Sequence, residues 1–279
     1  MVLEFLLGYE FNRPAHIFGT GLFFSSIAVF ISAALFAHSP SMVVVTFMTL
    51  PLVYVYTSLL RDRSAHEAKD DSLGHLWEDN IKIAEDFMFL FLGMTVGVAI
   101  WFSILPSEML ANLFSEQLYN LNQIGVATGF GIRPDVFATI ALNNVKLVLL
   151  SALMSFVFSA GALFILAWNA SVVGVAVGIL INKARLAGTP AALALGQGLG
   201  LGTAYYLLHL IPEVVSYFYA AVAGAFISTA LLRYEPLSRK SNRLLAISGA
   251  MIAASIALIL LAAIVEIQIS HSIQSVLHV

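Results

Sequence analysis

The chain has 279 residues, of which 60% are apolar and only 10% are charged, with a formal net charge of −3 and a mean hydropathy of +0.93. A soluble globular domain carries about 25% charged residues, so this composition excludes an ordinary soluble fold and indicates a chain that lies mostly in a bilayer. The absence of cysteine excludes disulfides and thiolate chemistry, and the small net charge gives no reason to expect a nucleic-acid partner.

Apolar stretches recur along the chain at the length needed to cross a bilayer, whose hydrocarbon core of about 30 Å takes about 20 residues of helix. The sequence therefore predicts an all-α, polytopic helical membrane bundle of six or seven transmembrane helices in the cell membrane. Residues 171–181 are apolar but too short to cross, and we expect a re-entrant or broken helix there. The N-terminus lacks the pattern of a removable signal peptide, so the first span is expected to direct insertion. The predicted spans are residues 16–37, 41–60, 87–105, 144–168, 190–211, 213–232 and 244–265.

Basic residues predict the orientation, because Lys and Arg accumulate on the cytoplasmic side. All four basic clusters lie inside if residues 171–181 dip into the membrane and return, which places the N-terminus inside and residues 266–279 outside. If that segment crosses fully, a further crossing is needed, and residues 123–142 are the candidate. The clusters are Arg13; Arg61, Arg63, Lys69 and Lys82; Lys183 and Arg185; and Arg233, Arg239, Lys240 and Arg243.

Two more polar segments separate the apolar zones. Residues 61–86 are charged and predict a cytoplasmic helix or loop, whose acidic and histidine side chains could bind a metal, although solvated charge is favoured. Residues 106–141 alternate apolar and polar groups, as an amphipathic interfacial segment does. We expect residues 1–85 to form an N-terminal two-span region and residues 86–279 to form a membrane domain. The candidate metal ligands are His66, Glu67, Asp70, Asp71, His75, Glu78 and Asp79.

Asparagines near the fourth predicted span are candidate functional positions, because a polar group in hydrocarbon needs a partner. Asn143 and Asn144, with Lys146, could contact a substrate or partner. Alternatively they mark a helix N-terminus at the interface, where Asn caps and Lys reaches water. Asn169 follows at a predicted turn, where Asn tolerates left-handed backbone.

The sharpest polar pair is His209 and Glu213, on either side of Pro212. On a continuous helix the two would share a face, whereas a break at Pro212 would put Glu213 in a first helical turn. A charge at the bilayer centre costs about 2.5–3.5 kcal/mol, so Glu213 should be protonated, paired with His209, bonded to an asparagine or near the interface. The pair fits a proton-coupled site, half of a metal site, a polar core that recognises a partner, or an interfacial turn. Two ligands do not complete a zinc site, and we expect no metal or cofactor.

Glycines four residues apart predict helices that pack with their backbones close together. Although residues 196–202 also resemble a dinucleotide-binding fingerprint, no strand precedes them, so nucleotide binding is not expected. The sequence shows no evident internal repeat. The predicted packing positions are Gly174 and Gly178; Gly196 and Gly200; Gly198 and Gly202; Gly93 and Gly97; and Ala220 and Gly224.

The order of these features resembles that of the stage II sporulation protein M family, a group of all-helical membrane proteins in spore-forming bacteria, other bacteria and archaea. The resemblance covers residues 143–232, with the paired asparagines, the helix ending SAGALFILAWNASVVGVAVG and the 209–213 turn before YAAVAGAF. This chain has Ala170 and Leu210 where the family pattern has glycine. The sporulation member of the family resembles a membrane scaffold that gathers cell-wall-degrading partners during engulfment, and relatives outside spore-forming bacteria carry over no established activity. The resemblance also implies a polar core that fixes helix packing or receives a partner or ligand. Its residues would be Asn143, Asn144, Asn169, His209 and Glu213.

The sequence therefore favours a non-enzymatic integral membrane scaffold or assembly factor that organises other membrane or envelope proteins within the lipid bilayer, with a homodimer as one expected assembly. The alternative is a small transporter or channel with an Asn/His/Glu polar site, because short apolar segments beside intramembrane polar residues mark binding sites in transporters. An intramembrane hydrolase would need further polar groups near His209 and Glu213, and the sequence has no G-x-S-x-G or H-E-x-x-H motif. A water-filled cavity at Glu213 would favour transport or catalysis, and a packed Glu213 would favour the scaffold.

Overall fold

The computed structural model describes residues 14–36, 40–50, 52–53, 73–124, 134–158 and 161–277, and it describes their side chains except at 73–84, 123–124, 134–137, 139–140, 201–210, 233 and 266–277. Within these residues every regular element is helical, which confirms the predicted all-α class. The helices are α1 (Pro14–Leu35), α2 (Pro40–Leu50), α3 (Leu73–Ile104), α4 (Ser107–Leu113), α5 (Ser115–Ile124), α6 (Pro134–Val157), α7 (Ala162–Leu186), α8 (Ala191–Gln197), α9 (Thr203–Arg233) and α10 (Arg239–Leu277), with a π-helical turn at Gly198–Gly202.

Five helical segments in the described part of the chain are long and apolar enough to cross a membrane. Three shorter apolar helices add to them, at Pro40–Leu50, Ala141–Val157 and Ala191–Gly200. The second predicted span and the charged segment that follows it lie partly or wholly outside the described residues. The five long segments are Pro14–Leu35, Glu85–Ile104, Ala162–Leu186, Ile211–Leu232 and Arg239–Val265.

The structure divides residues 144–181 differently from the sequence prediction. α6 ends at Val157 and α7 begins at Ala162, so residues 171–181 lie inside a 25-residue helix rather than in a short re-entrant segment. The Phe158 amide donates to the Met154 carbonyl and the Gly161 amide donates to the Phe158 carbonyl, each at 2.7 Å. These bonds turn the chain within an apolar sequence, where hydropathy alone cannot mark the turn.

Helix α9 runs without interruption through Pro212, where the sequence allowed either a break or a continuous helix. A helical proline donates no hydrogen bond, but neighbouring helices and Ser or Thr side chains let transmembrane helices tolerate it. The Ser216 hydroxyl donates to the Pro212 carbonyl at 2.6 Å, one turn beyond the proline, and this bond does not replace the one that Pro212 would have donated to Leu208. Because α9 is continuous, Glu213 is ten residues inside it, about 15 Å along its axis, and not in a first turn.

The chain divides into two compact units, of which the first comprises Met1–Tyr119 and Ala167–Leu199. In it, α1 and α3 run in the same direction and pack through glycine. Gly93 lies against Phe18 and Gly21 lies against Leu90, so closely that a Cβ on either glycine would overlap a backbone carbonyl oxygen. Further along the same seam Gly97 lies against Ser25. Close backbone approach of this kind replaces the hydrophobic effect as the packing force between helices in lipid.

Helix α7 packs against α3 in the same unit, and the two helices are also parallel. A Cβ on Gly174 would lie 2.8 Å from the Thr95 carbonyl oxygen, and one on Gly178 would lie 2.8 Å from the Phe102 Cβ. Because the helices are parallel, Lys183 and Arg185 lie at the C-terminal end of α3, opposite the end that follows residues 61–82. An arrangement with all four basic clusters on one side therefore does not fit. The alternative crossing at residues 123–142 stays a prediction, because residues 125–133 lie outside the described part of the chain and α6, from Pro134 to Val157, largely takes the place of the fourth predicted span.

The second unit comprises Asn120–Leu166 and Gly200–Val279. α6 and α9 run parallel in it, and α10 folds back antiparallel onto α9, with the Ser241 hydroxyl donating to the Ala230 carbonyl at 3.3 Å. Gly224 lies against the carbonyl of Ala152, so α6 and α9 approach closely. The expected division of the chain at residues 85 and 86 falls inside α3 and stays a prediction. The core of the unit contains Val148, Ala152, Tyr217, Ala220 and Ile259.

Candidate functional site

A polar centre, defined here as Asn144, Glu213 and Tyr217, joins α6 to α9. Glu213 and Tyr217 are four residues apart, so they face the same side of α9. Asn144 Nδ2 donates to Glu213 Oε1 at 2.6 Å, and the Tyr217 hydroxyl donates to Asn144 Oδ1 at 3.0 Å. Both ends of the Asn144 amide are therefore engaged by a single neighbouring helix.

The surroundings of the polar centre are apolar. Asn144 is 7% exposed and Tyr217 is 3% exposed, while Glu213 is half-buried. Tyr217 also belongs to the core of the second unit, beside Val148 and Ala220. In such surroundings hydrogen bonds are strong and an unmade bond is costly. The Tyr217 hydroxyl fixes the Asn144 amide so that its NH₂ group faces the carboxyl group, which suits a carboxylate.

The polar centre contains two of the five polar residues that the sequence singled out. Of the environments considered for Glu213, the structure shows the bond to an asparagine. Asn143 is half-buried on α6 next to Asn144. His209 lies in α9 one turn before Glu213, but its side chain is outside the described part of the chain. Asn169 is half-buried on α7, in the first unit.

Sequence reasoning missed Tyr217. Two features of the sequence could have identified it. A tyrosine inside an apolar span needs a partner for its hydroxyl, and Tyr217 follows Glu213 by four residues, so the two share a helix face.

The predicted packing glycines have different surroundings. Gly174 and Gly178 lie against α3 as described above. Gly198 lies against the side chain of Ile181, whereas a Cβ on Gly196 or Gly200 would have no neighbour within 4 Å. Gly198 and Gly202 bound the π-helical turn, a form that occurs mostly as single turns and often near functional positions.

A second polar network, also missed from the sequence, lies in the first unit. Gln117 on α5 is fully buried. Its Oε1 accepts a bond from the Ser41 hydroxyl of α2 at 2.8 Å, and its Nε2 donates to the Ser171 hydroxyl of α7 at 3.0 Å. Ser41 also accepts a bond from the Glu116 amide at 3.2 Å, which satisfies one of the free N–H groups at the start of α5. The network thus connects α5 to α2 and α7.

The end of α3 is capped by side chains from α7. Asn182 Nδ2 donates to the Phe102 carbonyl at 3.3 Å, and Arg185 Nη1 donates to the Ser103 carbonyl at 2.6 Å. The last carbonyls of a helix have no partner within it, and a cation there also suits the helix dipole. Arg185 therefore stabilises the C-terminal end of α3.

The described residues contain no group of three or more His, Asp or Glu side chains that could hold a metal ion. The acidic and histidine residues at 66–79 lie outside the described side chains, so the metal hypothesis for them stays a prediction. The polar centre itself offers one carboxylate, which can accept a proton or a positively charged group, held in place by Asn144.

Comparison with curated proteins gives no match, and comparison with solved structures gives none either. The family model of stage II sporulation protein M matches residues 15–271, which is nearly the whole chain and more than the 143–232 region that carried the resemblance. The match includes both units and the polar centre, and with the long apolar helices it indicates a membrane location. The chain belongs to the stage II sporulation protein M family.

Proposed function

We propose that this protein is a non-enzymatic integral membrane scaffold or assembly factor that organises partner proteins at the cell membrane. The observation that carries the proposal is the polar centre, in which both ends of the Asn144 amide form hydrogen bonds with side chains of α9. Polar groups satisfied by a neighbouring helix fix which faces of two helices meet. A rigid helix arrangement of this kind suits a protein whose work is to hold others in place.

The partner surface that we propose is the segment formed by α4 and α5. Its outer side carries exposed Glu108, Glu116 and Tyr119, the last with 62% of its surface exposed. Gln117 on the inner side anchors the segment to α2 and α7. An interfacial surface with acidic and aromatic groups on a rigid support can receive another membrane or envelope protein, or a second copy of this chain.

Quantitative affinity purification from native membranes tests the scaffold. We expect the wild type to recover a defined membrane or envelope protein. Glu213→Ala should recover less of it, because α6 and α9 lose their polar connection. Leu149→Ala, on an exposed apolar position of α6, is the matched control and should recover the wild-type amount. Tyr119→Ala tests the surface directly. Equal recovery by all variants would mean that the partner binds another part of the protein. If the wild type recovers no specific partner, the scaffold proposal is refuted.

A second candidate function is a small transporter or channel. The observation that favours it is Glu213, a half-buried carboxyl group in the apolar segment Ile211–Leu232, which is long enough to cross a membrane. Ionisable groups within membrane-spanning segments commonly mark transport pathways. Purified protein in liposomes with an internal pH-sensitive dye tests it, and equal proton flux through wild type and Glu213→Gln would argue against a proton pathway at this residue.

A further inference from the structure

The connection between α9 and α10 contains the densest group of basic residues in the chain. We call residues 233–243 the basic turn. Four positive charges and one negative charge, that of Glu235, give it a formal charge of +3. The basic turn lies wholly within the second unit. Its basic residues are Arg233, Arg239, Lys240 and Arg243.

The two helices place the basic turn at the surface of the bilayer. The segments Ile211–Leu232 and Arg239–Val265 are each long and apolar enough to cross a membrane. Only residues 234–238 connect α9 to α10, and the Ser241 hydroxyl bonds the Ala230 carbonyl where α10 folds back. Five connecting residues reach at most about 18 Å. The basic side chains are therefore at the level of the lipid headgroups, where Lys and Arg beside a span extend into the polar layer.

Hydrogen bonds hold the basic turn in one conformation. Leu237 has a φ of 64°, in the left-handed region that residues other than glycine rarely adopt. Its carbonyl accepts a bond from Asn242 Nδ2 at 3.3 Å, and the Ser238 amide donates to the Glu235 carbonyl at 3.1 Å. The Ser238 hydroxyl accepts a bond from the Ser241 amide at 3.2 Å, as an N-cap does. These bonds fix the backbone that carries the basic side chains.

Two arginines of the basic turn are open to a ligand. Arg239 and Arg243 are one turn apart on α10, so they share a face, and both are exposed. Within the described part of the chain, the side chain of neither forms a hydrogen bond or a salt bridge. Arg185 of the first unit differs, because its guanidinium group donates to the Ser103 carbonyl. Arg239 and Arg243 thus offer two forked sets of donors to an acceptor outside the protein.

Lys240 adds a third positive charge beside the arginines. Its Nζ lies 5.8 Å from the centroid of the Tyr234 ring. The face of an aromatic ring attracts a cation, and tyrosine is common at the level of the headgroups. This contact therefore keeps the Lys240 charge at the surface of the bilayer.

The exposed face of α10 continues beyond the arginines with small residues. They follow Arg243 at spacings of three and four, so they lie on the same side of the helix. A Cβ on Gly249 would have no neighbour within 4 Å. Small side chains leave room beside the helix for an acyl chain, which favours a lipid over a soluble phosphate compound as the ligand. These exposed small residues are Ala246, Gly249, Ala250 and Ala253.

We infer that the basic turn binds the headgroup of an anionic phospholipid, with its phosphate between Arg239 and Arg243 and an acyl chain along the exposed face of α10. Guanidinium groups donate paired hydrogen bonds to phosphate oxygens, and Lys240 adds attraction for a second negative charge. Basic residues close to a span attract anionic lipids in the same way. The inference goes beyond the scaffold and does not depend on it.

Native mass spectrometry of the purified protein tests the site. The protein in mild detergent is mixed with equal amounts of phosphatidylglycerol and phosphatidylcholine that have the same acyl chains. We expect the wild type to retain phosphatidylglycerol in preference. The double variant Arg239→Gln, Arg243→Gln should lower this preference by about fivefold for each charge removed, and Lys240→Gln should lower it by about fivefold.

The control is the double variant Lys146→Gln, Lys183→Gln, which removes two positive charges at exposed positions outside the basic turn and should keep the preference. A wild type without a preference, or an equal loss in the control and the arginine variant, would overturn the site. An unchanged preference in the arginine variant would also overturn it. Glycerol 3-phosphate in large excess should not displace the lipid. If it does, the ligand is a soluble phosphate compound and the assignment to a lipid is wrong.

Discussion

Asn144 shows how a single buried amide connects two helices. Its NH₂ group and its carbonyl oxygen go to side chains one turn apart on α9, so neither end is left without a partner. Removing one side chain of such a group leaves the other buried and unsatisfied, which costs about 1–3 kcal/mol. The two residue-scale predictions below follow from this asymmetry.

Glu213→Ala should lower the free energy of unfolding by about 1–3 kcal/mol, because the Asn144 NH₂ group loses its acceptor in a buried position. Glu213→Gln keeps a carbonyl oxygen that can accept the same bond, so it should lose less than half as much. Thermal unfolding of the purified variants in detergent measures both. Equal losses by the two variants would contradict a role for the hydrogen bond.

Gln117→Leu should destabilise the first unit by a similar amount, about 1–3 kcal/mol, since it removes the bonds to both Ser41 and Ser171. Asn122→Ala, at an exposed position on the same helix, is the control and should change the unfolding temperature little. Limited proteolysis within residues 106–124 gives a second measurement. If cleavage there is no faster in Gln117→Leu than in the control, the network does not hold α5 in place.

At the scale of elements, helix pairing depends on glycines at contact points. Gly21 and Gly19 lie two residues apart on α1, yet only Gly21 faces α3. A Cβ on Gly21 would overlap the Leu90 carbonyl, whereas a Cβ on Gly19 would have no neighbour within 4 Å. The two positions therefore give a matched pair of substitutions on one helix.

Gly21→Ala should destabilise the protein by about 1–3 kcal/mol, because the added methyl group forces α1 and α3 apart. Gly19→Ala should be neutral or stabilising by up to about 1 kcal/mol, since alanine favours a helix more than glycine does. Unfolding temperatures in detergent compare the two. A loss at Gly19→Ala as large as that at Gly21→Ala would mean that the contact does not determine the cost.

The sequence predicted the helical class and four of the five long apolar segments in the described part of the chain, because the hydropathy of about 20 residues follows from bilayer thickness. The predicted spans at 144–168 and 190–211 do not match a long segment, and Ala162–Leu186 was not predicted. The sequence did not predict the turn after Val157 or the continuity of α9 through Pro212. A turn within an apolar sequence does not change its mean hydropathy. Whether a proline ends a helix depends on the hydrogen bonds and packing that neighbouring groups provide. For the site, Glu213 and Asn144 stood out as polar residues in apolar spans. Tyr217 and Gln117 did not, because their importance comes from contacts between distant segments.

At the scale of the whole molecule, the composition and the five long apolar helices predict tight membrane association. Alkaline carbonate and 1 M salt (about the level that reduces the screening length to 3 Å) should leave the protein in the membrane pellet, and detergent should release it. A peripheral protein of the same cell is the control and should be released by carbonate. Release of this chain by carbonate would contradict membrane-spanning helices.

The first unit is discontinuous in sequence, and this affects the order in which the protein can be made. Residues up to Tyr119 emerge before the segment from Ala167 to Leu199 that completes the unit. At about 5–20 residues per second, a ribosome takes several seconds to extend the chain from Gln117 to Arg185. For most of that interval Gln117 lacks Ser171, and until its end the last carbonyls of α3 lack Arg185. The N-terminal helices must therefore wait in the membrane, partly assembled, and a nascent chain that stops before α7 leaves an incomplete product for quality control to remove.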